Sequence, residues 1–153
     1  MRIVFDTNIL VSIVIAKKNS NLYKIMEAWS LDLFEVIISN PILEELRNTL
    51  YKTEYFTTRI NSGTIDNYLE FVQKYTIPQN IHTEIKTQEL IMTYGFAPNQ
   101  EDNFILSTVV DANAEYLITG DKKILQLGIV ANTKIINPAQ FVEILYRKRF
   151  LLD

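Results

Sequence analysis

The chain has 153 residues, 48% hydrophobic and 22% charged, with four Gly and four Pro. This excludes wholesale disorder and low-complexity structure and sizes the chain as one domain with a buried core. Fifteen Lys and Arg against 18 Asp and Glu give a net charge of −3, so any basic surface must be local. There is no Cys and one His, His82, which removes disulfides, Cys-bound zinc, thiol catalysis and every two-His metal motif.

At the start of the chain, Ile3–Phe5 predicts a buried strand and Thr7–Lys17 a helix. The apolar run Ile9–Ala16 is about half the length of a membrane span, and its positive charges, Lys17 and Lys18, follow it rather than precede it. We therefore expect no membrane segment and no secretory leader, and a cytoplasmic protein. A second helix fits Leu22–Trp29 and a second strand Phe34–Ile38. Ser39-Asn40-Pro41 closes that strand and opens a helix to about Tyr51, with Pro41 in its first turn. Helical segments follow over Thr53–Ile60 and Ile65–Tyr75, separated by Asn61-Ser62-Gly63.

Pro78 opens the least regular stretch, where Ile81–Ile85 alternates weakly like a strand and Lys86–Met92 fits no single period. Tyr94–Asn99 reads as a loop, Asp102–Asn113 as a helix and Tyr116–Thr119 as a strand. A short helix, Lys122–Leu127, stops at Gly128; Lys134–Ile136 is the last strand, and Pro138 opens a helix to about Phe150. Strands separated by helices imply an α/β fold, with a mainly parallel sheet covered on both faces.

Such sheets bind ligands at the carboxyl ends of their strands. Asp6 and Asp121 fall at two such ends. Asp is also a favoured N-cap, and each of the two precedes a helix. On the helix from Pro41, the residues Ile42, Leu43, Leu46 and Leu50 share a face. Glu45 borders that face and Glu44 points away, so Glu45 is the one placed to reach the sheet edge. Asp102 heads a helix whose buried stripe is Ile105, Leu106, Val109 and Ala112, and it lies on that stripe. It too could serve only as a cap.

Four carboxylates brought to one edge would repel, each pair at ~4 Å by on the order of 4 kcal/mol at an effective dielectric near 20. A counter-cation would relieve this. Hard oxygen ligands without His or Cys select Mg²⁺ or Mn²⁺, which can activate water against a phosphoester.

The motifs carrying these acids resemble those of PIN domains. Ile3-Val4-Phe5-Asp6-Thr7-Asn8-Ile9-Leu10 is similar to the opening strand and its DTN signature. Ser39-Asn40-Pro41-Ile42-Leu43-Glu44-Glu45-Leu46 resembles the second motif, whose acidic residue precedes an aliphatic one and so matches Glu45. Glu101-Asp102-Asn103 and Ala114–Lys122 resemble the third and fourth. Two departures are a long, apolar Lys86–Pro98 and Asn113 where the family usually has Gly.

The resemblance, closest to VapC-like toxin components of bacterial and archaeal toxin–antitoxin pairs, implies a three-layer α/β/α sandwich over residues 1–153. A helical subdomain would lie at about 41–75. It also implies a Mg²⁺- or Mn²⁺-dependent endoribonuclease. Asp6, Glu45, Asp102 and Asp121 would be catalytic and bind metal, with Thr7, Asn8 and Thr119 as polar supports. RNA would be the substrate, an antitoxin protein a possible partner and a homodimer the expected assembly.

For phosphate contacts the best-placed residues are Lys122 and Lys123, directly after Asp121. Arg147, Lys148 and Arg149 form a second basic cluster. Tyr51, Tyr55, Phe56 and Tyr94 could stack bases or pack within the protein. Other readings remain: a non-catalytic module of this fold that holds RNA or protein, or another metal-dependent phosphohydrolase. A haloacid-dehalogenase-type phosphatase would want a second Asp where Asn8 stands, and neither GxxxxGK nor GxGxxG occurs.

Overall fold

The computed structural model describes residues 1–151; the last two residues of the expected domain, 152–153, lie outside the described residues. Its strands are β1 (Arg2–Phe5), β2 (Glu35–Ile38), β3 (Ile77–Pro78), β4 (Tyr116–Ile118), β5 (Ile129–Val130) and β6 (Thr133–Ile136). Its helices are α1 (Thr7–Ile13), α2 (Asn21–Ser30), α3 (Asn40–Lys52), α4 (Glu54–Thr57), α5 (Ser62–Lys74), α6 (Thr87–Tyr94), α7 (Asn103–Ala112), α8 (Lys122–Leu127) and α9 (Pro138–Arg147).

The strands form one sheet in the order β3-β2-β1-β4-β6-β5, parallel except for the β5–β6 pair. β1 is central because Ile3, Val4 and Phe5 are buried, as befits a strand covered on both faces. From β1 the chain winds outward to β2 and β3, then crosses back to β4 on the other side of β1. The winding direction reverses between β1 and β4, so the cleft in which open α/β sheets bind ligands falls at the carboxyl ends of these two strands. The ladder continues one residue beyond β1: the Asp6 N–H donates to Ile118 O at 3.0 Å.

Aromatic packing holds the helices to β1. Trp29 of α2 is fully buried, tilted on Phe5 at 5.5 Å and edge-on to Phe71 of α5 at 4.8 Å. Its indole N–H donates to Tyr75 O at 3.0 Å, the partner a buried Trp needs. Phe34 meets Phe141 of α9 edge-on at 5.2 Å. The Tyr68 hydroxyl donates to Leu10 O, tying α5 to α1.

Several boundaries differ from the sequence expectation. The first helix ends at Ile13 rather than Lys17, where three β-branched residues, Ile13-Val14-Ile15, weaken the helix before Asn19 turns left-handed at φ 67°. Ile81–Ile85 forms no strand. The backbone N–H groups of His82 and Thr83 and the Thr83 hydroxyl instead donate to the Asp111 carboxylate on α7, which leaves them nothing for a ladder. Lys86–Met92 resolves into α6, closed by Gly95 at φ 84°. Pro78, read as the opening of an irregular stretch, pairs with Ile38 on the outermost strand, where a missing N–H is tolerated. The last helix ends at Arg147 because Arg149 is left-handed at φ 60°, and the Phe150 N–H turns back to Leu145 O.

Candidate active site

Asp6 sits where β1 ends and α1 begins and is 3% exposed. One carboxylate oxygen, Oδ1, accepts the Asn8 N–H at 3.4 Å; the other, Oδ2, accepts the Thr119 hydroxyl at 2.7 Å. Capping and site placement are thus carried by one side chain. Burial pushes its carboxyl above the ordinary carboxylate range. The Thr119 hydroxyl and the Asn8 N–H pull it back, and the charge of Asp121 pushes it up again. Among the described residues the sole ion pair is Arg2–Glu35 at 3.6 Å, so no cation pairs with this buried acid.

Thr119, at the end of β4, is fully buried. Its hydroxyl donates to Asp6 and accepts the Asp121 N–H at 3.0 Å, so one oxygen links the acids of adjacent strands. Asp121 caps α8 through Oδ1, which accepts the N–H groups of Lys123 at 2.9 Å and Ile124 at 3.1 Å. None of these bonds uses its Oδ2.

α3 starts at the carboxyl end of β2 and buries Ile42, Leu46 and Leu50. This leaves Glu44 exposed and Glu45 half-buried. Glu45 Oε2 accepts the hydroxyl of Thr7 at 3.0 Å, so the DTN threonine holds the second acid. Asp102 lies in a 3₁₀ turn, Gln100–Asp102, just before α7. Its carboxyl is pushed up to about 6 by burial first, then by the charges of Asp6, Asp121, Glu45 and Glu101. The structure therefore brings Asp6, Glu45, Asp102 and Asp121 into one field, at the cleft between β1 and β4.

That donor set suits a hard divalent cation such as Mg²⁺ or Mn²⁺: it offers carboxylate oxygens only, and the Asp102 carboxyl is raised by burial and then by the neighbouring acids. Among the described residues, no group of three or more His, Cys, Asp or Glu side chains lies close enough together to hold a metal ion as it stands.

The other residues singled out from the sequence fall as follows. Asn8 contributes its backbone N–H, and its side chain is exposed. Lys122 and Lys123 are exposed on the first turn of α8, beside Asp121. Phe56 is buried, and the Tyr94 hydroxyl donates to Ile129 O at 2.7 Å, so neither is a free stacking platform. Tyr51 and Tyr55 are exposed, and Arg59 lies over the Tyr55 ring at 4.0 Å.

Sequence reasoning missed Ser39 and Thr108. Ser39 precedes α3 but makes no capping bond; its hydroxyl lies 2.7 Å from the Thr108 hydroxyl, which itself donates to Phe104 O at 2.8 Å. This buried link joins α3, which carries Glu45, to α7, which follows Asp102. In the sequence Ser39 stands out only as part of the Ser39-Asn40-Pro41 strand closure and the motif that follows, and no pattern pairs residues 69 apart.

The PIN domain family model matches residues 2–123, a span containing all four acids, and the chain belongs to this family. PIN domains are in general nucleases. No curated protein matches the sequence. Among solved structures, VapBC2 from Rickettsia felis, bound to a DNA fragment from its promoter, aligns with TM-score 0.63 at 18% identity, covering 90% of this chain and 98% of that one. PAE2754 from Pyrobaculum aerophilum aligns at 0.59 and 14%, covering 96% and 90%. FitAcB from Neisseria gonorrhoeae aligns at 0.59 and 16%, covering 90% and 98%. At these identities the likeness establishes the three-layer, mostly parallel α/β fold.

Proposed function

We propose that this chain is a Mg²⁺- or Mn²⁺-dependent endoribonuclease that hydrolyses single-stranded RNA, working as one domain. The observation that carries this reading is Asp102, whose carboxyl is raised by burial and by three other acids from separate elements. Such an arrangement costs stability and marks a functional site. Asp6, Asp102 and Asp121 would hold one ion, and Glu45 would help hold a second or orient a water. When bound, the ion supplies an activated water at neutral pH and stabilises charge on the phosphorane-like transition state.

The chain's own groups set the geometry. Thr119 fixes Asp6 against Asp121, Thr7 fixes Glu45, and the first turn of α8 fixes Asp121. His82 is exposed and bound through its backbone to Asp111, so general-base work falls to no imidazole at this cleft. Lys122 and Lys123 are placed to meet phosphate oxygens at its rim.

The VapBC and FitAcB neighbours favour a toxin component with a cognate antitoxin partner, and a homodimer is the assembly in keeping with that reading. No helix of the described residues is long and apolar enough to cross a membrane, in keeping with action on RNA in the cytoplasm.

The test is cleavage of a mixed-sequence single-stranded RNA by purified protein with Mn²⁺, with Mg²⁺ and with chelator. The expected result is cutting with either metal and none with chelator. Metal-dependent binding of RNA without cutting would favour a non-catalytic module instead.

A further inference from the structure

Away from the acidic cleft, a groove of about 450 Å³ lies between β4, β6 and α9, within the size range of small-ligand sites, roughly 300–1,000 Å³. Tyr116 and Lys134 are register partners on adjacent strands, so both side chains lie on the same face of the sheet, with Ile136 two residues on. α9 runs alongside and adds Ile144, Arg147 and Lys148. The floor is apolar and aromatic (Tyr116, Ile136, Ile144), and the rim is cationic (Lys134, Arg147, Lys148).

The three cations are exposed and, among the described residues, none makes an ion pair, although Glu143, the one carboxylate in the lining, stands among them. An unpaired cationic rim around an apolar floor suits a chain of phosphates carrying flat bases: phosphates on the rim, bases against the floor. A peptide of acidic residues alone would leave the aromatic floor unused.

The groove also adjoins the cleft. The Thr119 N–H donates to Ile136 O at 3.0 Å, and Thr119 is the residue that holds Asp6. From Ile136 and Gln140 at that end, the groove follows α9 to Arg147, seven residues and roughly 10 Å further. A chain of net charge −3 with four acids at its cleft needs a local positive track to retain a polyanion.

We propose that this groove binds the single-stranded RNA flanking the cleaved bond. The proposal rests on the ribonuclease reading for the identity of the bond, but its test does not. Binding of a labelled RNA of about 16 nucleotides, and of one of about 4, is measured by fluorescence anisotropy in chelator across a salt series. The wild type is compared with a triple variant, Lys134→Gln, Arg147→Gln, Lys148→Gln. All three side chains are exposed, and an unchanged melting temperature certifies the fold.

The variant is expected to bind the longer RNA about tenfold more weakly at low salt. Its slope of log K against log salt should be shallower by about 2, the effect of three lost contacts at ~0.7 each. Cleavage of the shorter RNA in Mn²⁺ should be unchanged. Equal affinity and slope for the longer RNA would overturn the proposal. So would polyglutamate that binds the wild type as tightly as RNA and is lost equally in the variant, since that would assign the groove to an acidic protein. A wild type that cuts no RNA refutes the ribonuclease reading alone, and the binding arm still decides the groove.

Discussion

Replacing Asp102 with Asn is expected to abolish metal-dependent RNA cleavage, by on the order of a thousandfold or more, and to stabilise the metal-free protein. Asn keeps the shape and removes one charge from a field of four carboxylates. The sign of the stability effect follows from the titration. The carboxyl titrates near 6 in the folded protein and near 3.8 in a free chain. The folded state therefore binds the proton more tightly, and ionisation weakens it. The penalty is absent below about pH 4, grows between pH 4 and 6, and is complete above 6.

A shift of two units would correspond to about 3 kcal/mol. The group is partly exposed, so solvent screening brings the expected gain in the Asn variant to about 1–2 kcal/mol, or a few degrees in Tm. Melting both proteins in chelator at pH 7.5 and at pH 4 checks this: the variant should lead at pH 7.5, and the lead should vanish at pH 4. Added Mn²⁺ should reverse the order at pH 7.5, because only the wild type gains strongly from binding. A variant that cuts RNA as well as the wild type would remove Asp102 from the site.

The second large effect separates neighbours on one helix. Glu45→Gln should lower kcat/KM by on the order of a hundredfold, whereas Glu44→Gln should change it by no more than about twofold. Gln retains an oxygen that can accept the Thr7 hydroxyl, so Glu45→Gln should fold and melt like the wild type or slightly above it. What it loses is the negative charge that bears on Asp102. Glu44 is exposed and takes no part in these bonds. Equal losses in the two variants, in a continuous assay with a fluorescence-quenched RNA, would show that the carboxylate on α3 was wrongly assigned.

The acids themselves were legible because two kinds of pattern met on them. Strand-end position marked Asp6 and Asp121, and helical period placed Asp102 on a buried stripe and chose Glu45 over Glu44; the structure brings all four to one cleft. The choice between cap and site was not legible for Asp6 and Asp121: each caps a helix through Oδ1, which leaves Oδ2 to accept the Thr119 hydroxyl in Asp6 and outside the capping bonds in Asp121. The buried Ser39–Thr108 link joins distant segments and leaves no local trace.

The misread boundaries share a cause. Ile81–Ile85 alternates like a strand, but the Asp111 carboxylate takes its N–H groups first. Two-residue strands such as β3 and β5 are defined by their partners rather than by their own composition.

These four carboxylates are proposed to form one divalent-metal site. The most direct test is a titration of metal-free protein with Mn²⁺, followed by the loss of the free-ion electron paramagnetic resonance signal and run beside Asp102→Asn. The wild type should bind Mn²⁺ saturably, with competition by Mg²⁺, and Asp102→Asn should weaken that binding at least tenfold, by about 1.4 kcal/mol or more. Equal binding by both proteins, or none by the wild type, would contradict it.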